Sequence, residues 1–471
     1  MNTKTFATLN FFLVFIFFTY FFGSPKEIPS HVDEPNIVEK AIKISEGSLN
    51  PEFFRYPSGH MNVLAIIFKI FSYFKEEMVK EDYYSIAWLF SRVLMTLIIT
   101  MISLICSINL NYYYGFIGTI ISILCPVLYT HANFAIVDVS MTFFVTLFFL
   151  VLTKLYYQSD LNFKNIILIG FIIGIAVSMK YTAALLIPVL IFISTGYIQK
   201  NRSFILSEKG KKIVLLVFGF FLLVLGAMAK INQEAILVYF IGLTTDGIIE
   251  IEYIRTFKNL NLLIIFFGIL LIIVGLVKKF LENKLIDILI SPFHIYTIFV
   301  VIISFALFSP YTIIEYKKSF SDFMYEYRHM KIGSAAQYHH SSDEYRYLVS
   351  NLSFTRSIKF YVELFCLNFG VIGLFIGLYG AFIIYLRNRN YSIAIFIYFF
   401  LMLFILFTWK NFAIRYSLTI LPILIIFIIY GLYDIQTRVS RKLYFDKILV
   451  TVLIYLIMFI QPVFHFILFL K

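Results

Sequence analysis

The chain reads as an all-α, polytopic membrane protein, and three observations predict that class. Apolar residues fill 61% of its 471 positions and charged residues only 14%, against roughly a quarter charged in soluble domains. Mean hydropathy is +0.88. Apolar runs of membrane-spanning length recur from end to end. They are continuous rather than alternating, which fits spanning helices and excludes a membrane β-barrel.

The first run, FFLVFIFFTYFFG, has the look of a signal peptide. No small-x-small cleavage site follows it and many further runs do, so an uncleaved first span is expected. Thirteen spans are expected in all, near 7–23, 86–108, 113–131, 138–157, 165–179, 182–198, 213–230, 260–277, 292–309, 366–386, 391–408, 417–433 and 448–470. The fifth and sixth are separated by MKYT; one long tilted helix fits their hydropathy as well as two short ones. Short linkers carrying KNRSFILSEKGKK, KKFLENK, RNR and RVSRKLYFDK fall on one side, and basic residues mark the cytoplasmic side. On that assignment, 21 of the 27 Asp and Glu residues lie on the opposite side or at helix ends there. Both patterns predict a cytoplasmic N-terminus, an external C-terminus and a single domain over 1–471. Its mass outside the membrane would lie in 24–85 and 310–365. Within 24–85, a helix is expected at roughly 36–46. MNVLAIIFKIFSYF (61–74) is apolar but too short to span, so it is expected along the outer membrane surface.

Composition also excludes some functions. The net charge of +12 follows from the basic inner loops and gives no ground for nucleic-acid binding. No GxxxxGK[ST] motif supports ATP-driven transport, and no repeat of the secondary-transporter kind is visible. Cys106, Cys125 and Cys366 sit in or beside apolar runs at unrelated spacing, as small apolar residues do.

The most informative stretch follows the first span: HVDEPNIVEKAIKISEGSLNPEFFRYPSGH, residues 31–60, with five carboxylates. A carboxylate at a helix start is stabilised by the exposed amides and the helix dipole. That accounts for one of Asp33 and Glu34. It leaves Arg55, Tyr56, Pro57 and His60, in a rigid polar loop beside the bilayer, without a reason. Lys180 lies at the MKYT break, where a charge near a broken membrane helix points to function; snorkelling to the interface is the plainer alternative. Asp138 opens the fourth span as a cap or as a functional acid.

DEPNIVEKAIKISEGSLNP…FRYPSG resembles the first outer loop of the GT-C glycosyltransferases of the protein O-mannosyltransferase and aminoarabinose-transferase families. There an Asp-Glu pair follows the first helix, then a helix, a Gly-x-Leu-x-Pro step and a Tyr-Pro pair. Four further stretches are similar in the same order: FAIVDVSMTFFVTLFFL, GFIIGIAVSMKYTAALLIPVLI, FSPYTIIEYKKSFSDFMYEYRHMKIG and FAIRYSLTILPIL. The resemblance covers about residues 5–435. The chain departs from it in lacking a large soluble domain and in placing His31 and Asn36 around the Asp-Glu pair.

The resemblance implies a GT-C fold of about thirteen spans with helices lying along the outer face. It also implies transfer of a sugar from a polyprenyl-phosphate donor to a lipid, glycan or protein acceptor at the extracytoplasmic face, by inversion. Asp33 is the implied base, for an acceptor hydroxyl must lose a proton as it attacks; Glu34 would position acceptor or sugar. The leaving phosphate is anionic and calls for cations: Lys180 and Arg415, with Arg55 third. Tyr56, Asp138 and Tyr311 are further binding candidates. Arg415 has an alternative as an interface anchor with Trp409 and Lys410, and Tyr311 one in the aromatic belt. Members of this fold class work with or without a divalent ion. His329, His339, His340, Asp343 and Glu344 cluster in 310–365 but match no recognised ligand spacing. Asn351-Leu-Ser353 is a formal glycosylation sequon. Most of the 56 Phe and 33 Tyr residues are expected at lipid and interface positions. Two rival functions are a lipid-linked-sugar flippase or transporter without chemistry, and an O-antigen ligase or polymerase. Charges gathered at one face, rather than mid-membrane, favour surface chemistry.

Overall fold

The computed structural model describes residues 2–21, 28–75, 77–157, 162–200, 206–231, 260–277, 291–332 and 354–443. The expected span 448–470, His339, His340, Asp343, Glu344 and the sequon at Asn351 lie outside the described residues. All regular structure among the described residues is helical. Eight helices are each long and apolar enough to cross a membrane, and five shorter apolar helices accompany them.

In chain order the helices are α1 (Thr3–Phe21), α2 (Glu34–Ser45), α3 (Gly59–Ser72), α4 (Lys80–Asn109), α5 (Tyr112–Ile123), α6 (Pro126–His131), α7 (Val137–Tyr157), α8 (Phe163–Met179), α9 (Ile187–Lys200), α10 (Glu208–Ile231), α11 (Leu260–Leu276), α12 (Pro292–Phe308), α13 (Pro310–Ile314), α14 (Tyr316–Ile332), α15 (Phe354–Arg387), α16 (Arg389–Thr408) and α17 (Leu421–Leu443). Two 3₁₀ turns, Tyr181–Leu186 and Ile414–Ser417, precede α9 and α17.

Several expected boundaries change, for local reasons. The span expected at 113–131 is two helices, broken at Cys125–Pro126, because proline has no N–H to continue the ladder. MKYT does separate two helices: Lys180 is extended between α8 and the 3₁₀ turn. The helix expected at 366–386 starts at Phe354, and Gly370 interrupts it at φ 70° and ψ 160°, a conformation that needs glycine. Residues 354–365, expected in an outer segment, therefore continue directly into this helix.

α4 packs against α1, α5 and α7; α7 packs on α8, α8 on α12, and α15 on both α16 and α17. Gly380 and Gly431 bring α15 and α17 backbone to backbone: a Cβ on Gly380 would strike the Phe427 carbonyl oxygen. A second, smaller core closes one end of the bundle. α2 buries Ile37, Val38, Ala41 and Ile44, a one-face helical spacing, against Met61, Leu64, Ala65 and Phe68 of α3 and Tyr84 and Trp88 of α4. The Ile, Val, Leu, Met and Phe side chains among them each contribute about 1.5–3 kcal/mol when fully buried. Ile66, Ile70 and Phe71 leave the other face of α3 exposed and apolar. Gly59 lets the start of α3 lie against Ser178, whose carbonyl oxygen would be 2.5 Å from a Cβ there.

Candidate active site

The small core holds the loop before α2 in place, and the two acids at its end diverge. Glu34 is fully buried. Its oxygens accept from Trp88 Nε1 at 2.8 Å, Ala135 N at 2.9 Å and Ser30 N at 2.8 Å. The expectation that Glu34 touches sugar or acceptor meets a carboxylate already saturated by protein donors. Asp33 makes no side-chain capping bond to α2. It accepts instead from Arg415 Nη2 at 3.0 Å.

Arg415 lies in the 3₁₀ turn before α17, with only 14% of its side chain exposed. His31 Nε2 lies 3.2 Å from Arg415 Nη1. Burial works against the Arg415 charge, but Tyr416, Asp138 and Asp33 outweigh it and push its pKa up. Burial lowers the pKa of His31 and so favours its neutral form. Asp138, in the first turn of α7, accepts from Lys180 Nζ at 2.6 Å. Its other oxygen has no hydrogen bond and faces Arg415 Nε at 4.0 Å. Lys180 also lies 4.9 Å from the ring centre of Tyr416 and 5.5 Å from that of Tyr56. It is buried rather than turned to a membrane interface. His60, at the start of α3, pairs Nδ1 with Ser140 Oγ at 2.7 Å, and burial lowers its pKa to about 4.

α14 forms a wall over these groups. Asp322 accepts from the Phe54 amide at 2.7 Å, and Arg55 stacks on Tyr325 at 4.0 Å. At the other end, the Met330 carbonyl accepts from the Lys410 amide at 2.9 Å, and Asn411 meets His329 Nε2 at 2.6 Å. Behind the wall is a cavity of about 550 Å³. Arg55, Lys180, Tyr56, Tyr416 and Glu326 give it a polar part; Ala184, Leu185, Met330, Ile405 and Trp409 give it an apolar part. The structure thus gathers Asp33, Asp138, Lys180, Arg415, Arg55 and Tyr56 at one end of the bundle. Tyr311 is elsewhere, lining a second cavity with Leu49, Asn62 and Lys69.

Glu326 was not among the sequence candidates. Burial raises its pKa, against Lys180 and Arg55, which lower it. The i,i+4 spacing of Asp322 and Glu326 places two acids on one face of α14, the one signal in the sequence that marks it. Among the described residues, no three His, Cys, Asp or Glu side chains converge on a point. Asp33 and Asp138 are engaged by Arg415 and Lys180, and Glu326 is the one carboxylate among the described residues that line the cavity, so these residues do not fit a divalent ion.

No family profile matches the chain, and no curated protein matches it. Solved structures do. The archaeal oligosaccharyltransferase AglB from Archaeoglobus fulgidus, in complex with an inhibitory peptide and a dolichol-phosphate, superimposes with a TM-score of 0.51 at 12% identity, over 99% of this chain and 55% of that one. The Archaeoglobus fulgidus oligosaccharyltransferase tethered to an acceptor peptide containing the NVT sequon gives 0.52 at 11% identity, over 98% and 55%. The chain therefore spans just over half the length of these structures, and at this identity the likeness is one of fold. This protein is an all-α integral membrane protein with the GT-C fold.

Proposed function

We propose that the protein is a glycosyltransferase that moves a sugar from a polyprenyl-phosphate carrier to an acceptor hydroxyl or amide at the extracytoplasmic face. The observation that carries this reading is the two-part cavity at the charged end of a GT-C fold. Its apolar part suits the first isoprene units, and its polar part suits a phosphate and a sugar. The AglB complex contains a dolichol-phosphate, a lipid of the same chemical class.

In this reading the phosphate lies against Lys180 and Arg55, both of which line the cavity. Asp33, oriented by Arg415, takes the proton of the attacking acceptor. A bond forms between the acceptor atom and the anomeric carbon as the bond from that carbon to the phosphate oxygen breaks. Polyprenyl phosphate leaves, its charge met by the cations, and attack opposite the leaving group inverts the anomeric centre. Asp138 holds Lys180 in place at 2.6 Å.

The test follows release of polyprenyl phosphate from a panel of polyprenyl-phosphate sugars by protein in nanodiscs. Asp33→Asn should lower turnover by roughly a hundredfold or more while leaving donor binding intact. Unchanged turnover in Asp33→Asn would place the base elsewhere. Movement of intact lipid-linked sugar between leaflets, without release, would establish the transporter reading instead.

A further inference from the structure

Glu326 is the single carboxylate among the described residues that line the cavity. The neighbouring acids are committed: Asp33 to Arg415, Asp138 to Lys180, and Glu34 to Trp88 and backbone amides. Glu326 has no hydrogen-bond or ion-pair partner among the described residues. Glu326 is half-buried and lines the cavity, so an acceptor-only carboxylate without protein donors is open to hydrogen bonds from a molecule bound there.

Its place is fixed in advance, because α14 is anchored on both sides of it through Asp322 and Tyr325 and through Met330. Lys180 and Arg55 supply the cavity's attraction for an anion; Glu326 repels one. The ligand group that meets Glu326 must therefore donate hydrogen bonds rather than carry the phosphate. Adjacent sugar hydroxyls match the two oxygens of a carboxylate.

Building on the glycosyltransferase reading, we propose that Glu326 is a specificity-determining residue that accepts hydrogen bonds from hydroxyls of the donor sugar. It distinguishes a sugar-bearing polyprenyl phosphate from the bare product lipid. Loss of those bonds weakens only the sugar-bearing lipid. Removal of the negative charge beside Lys180 and Arg55 favours the bare lipid.

The experiment uses full-length protein in nanodiscs, with quenching of tryptophan fluorescence as the readout, since Trp409 lines the cavity. The probes are polyprenyl phosphate and polyprenyl-phosphate hexose. Wild type should bind the hexose lipid more tightly. Glu326→Gln and Glu326→Ala should weaken the hexose lipid by about tenfold or more and leave the bare lipid bound as tightly or more tightly. Equal weakening of both lipids would mean that α14 had merely shifted and would overturn the proposal. So would unchanged hexose-lipid binding in both variants. A wild type that binds the two lipids equally would overturn the Glu326 assignment alone; one that binds neither would overturn the glycosyltransferase reading beneath it.

Discussion

Asp33 and Glu34 are adjacent and chemically alike, yet the fold gives them different surroundings. Glu34 points inward, where Ser30, His31, Trp88 and Ala135 supply donors from three parts of the chain. Asp33 points to Arg415. The pair was visible in the sequence, but the division of labour was not, because it depends on Trp88 and Ala135, which only the folded chain brings near. Glu34→Gln keeps the volume but sets an NH₂ group against donors. It should therefore cost about 3 kcal/mol or more and lower the melting temperature in nanodiscs. A Glu34→Gln variant as stable as wild type but unable to turn over donor would show that Glu34 works on the substrate instead.

At the scale of elements, hydropathy located the long apolar helices well, since an apolar run has few alternatives in a bilayer. It was silent on α14, which is amphipathic and polar and lies outside that signal. It also could not show which distant loops α14 joins. Those joints are specific bonds: Asp322 to the Phe54 amide and Arg55 on Tyr325 at one side, the Met330 carbonyl to the Lys410 amide at the other. A hydrogen bond to a charged acceptor contributes about 1.5–3 kcal/mol. Asp322→Ala should thus loosen the α14 wall without unfolding the bundle. Hydrogen exchange should rise within 316–332 and the loop 50–56 while α4 and α7 stay protected, and donor KM should rise. Unchanged exchange in 316–332 would show that packing, not this bond, holds α14.

At the scale of the whole molecule, the charge pattern and the fold meet at one end of the bundle. His31 and Arg415 are 384 residues apart in sequence, so the site could be assembled from the sequence only through the resemblance. The geometry fixes which ends of the helices are opposed. α16 ends at Thr408 in the cavity wall and begins at Arg389. A helix of this length covers roughly 30 Å, which puts the Asn388–Asn390 turn at the far side from Ser48 and the α2–α3 loop. Basic residues crowd the Arg387–Arg389 turn, and cytoplasmic loops carry that bias; Ser48 belongs to the acid-rich side. Cells expressing Ser48→Cys should therefore react with a membrane-impermeant maleimide added outside, and cells expressing Asn390→Cys only after permeabilisation. The native Cys106 and Cys125 are fully buried and Cys366 partly so, and replacing all three first removes their signal. The reverse labelling pattern would turn the protein over in the membrane. The donor would then have to be drawn from the cytoplasmic leaflet, and the extracytoplasmic part of the proposed function would fall while the cavity chemistry stood.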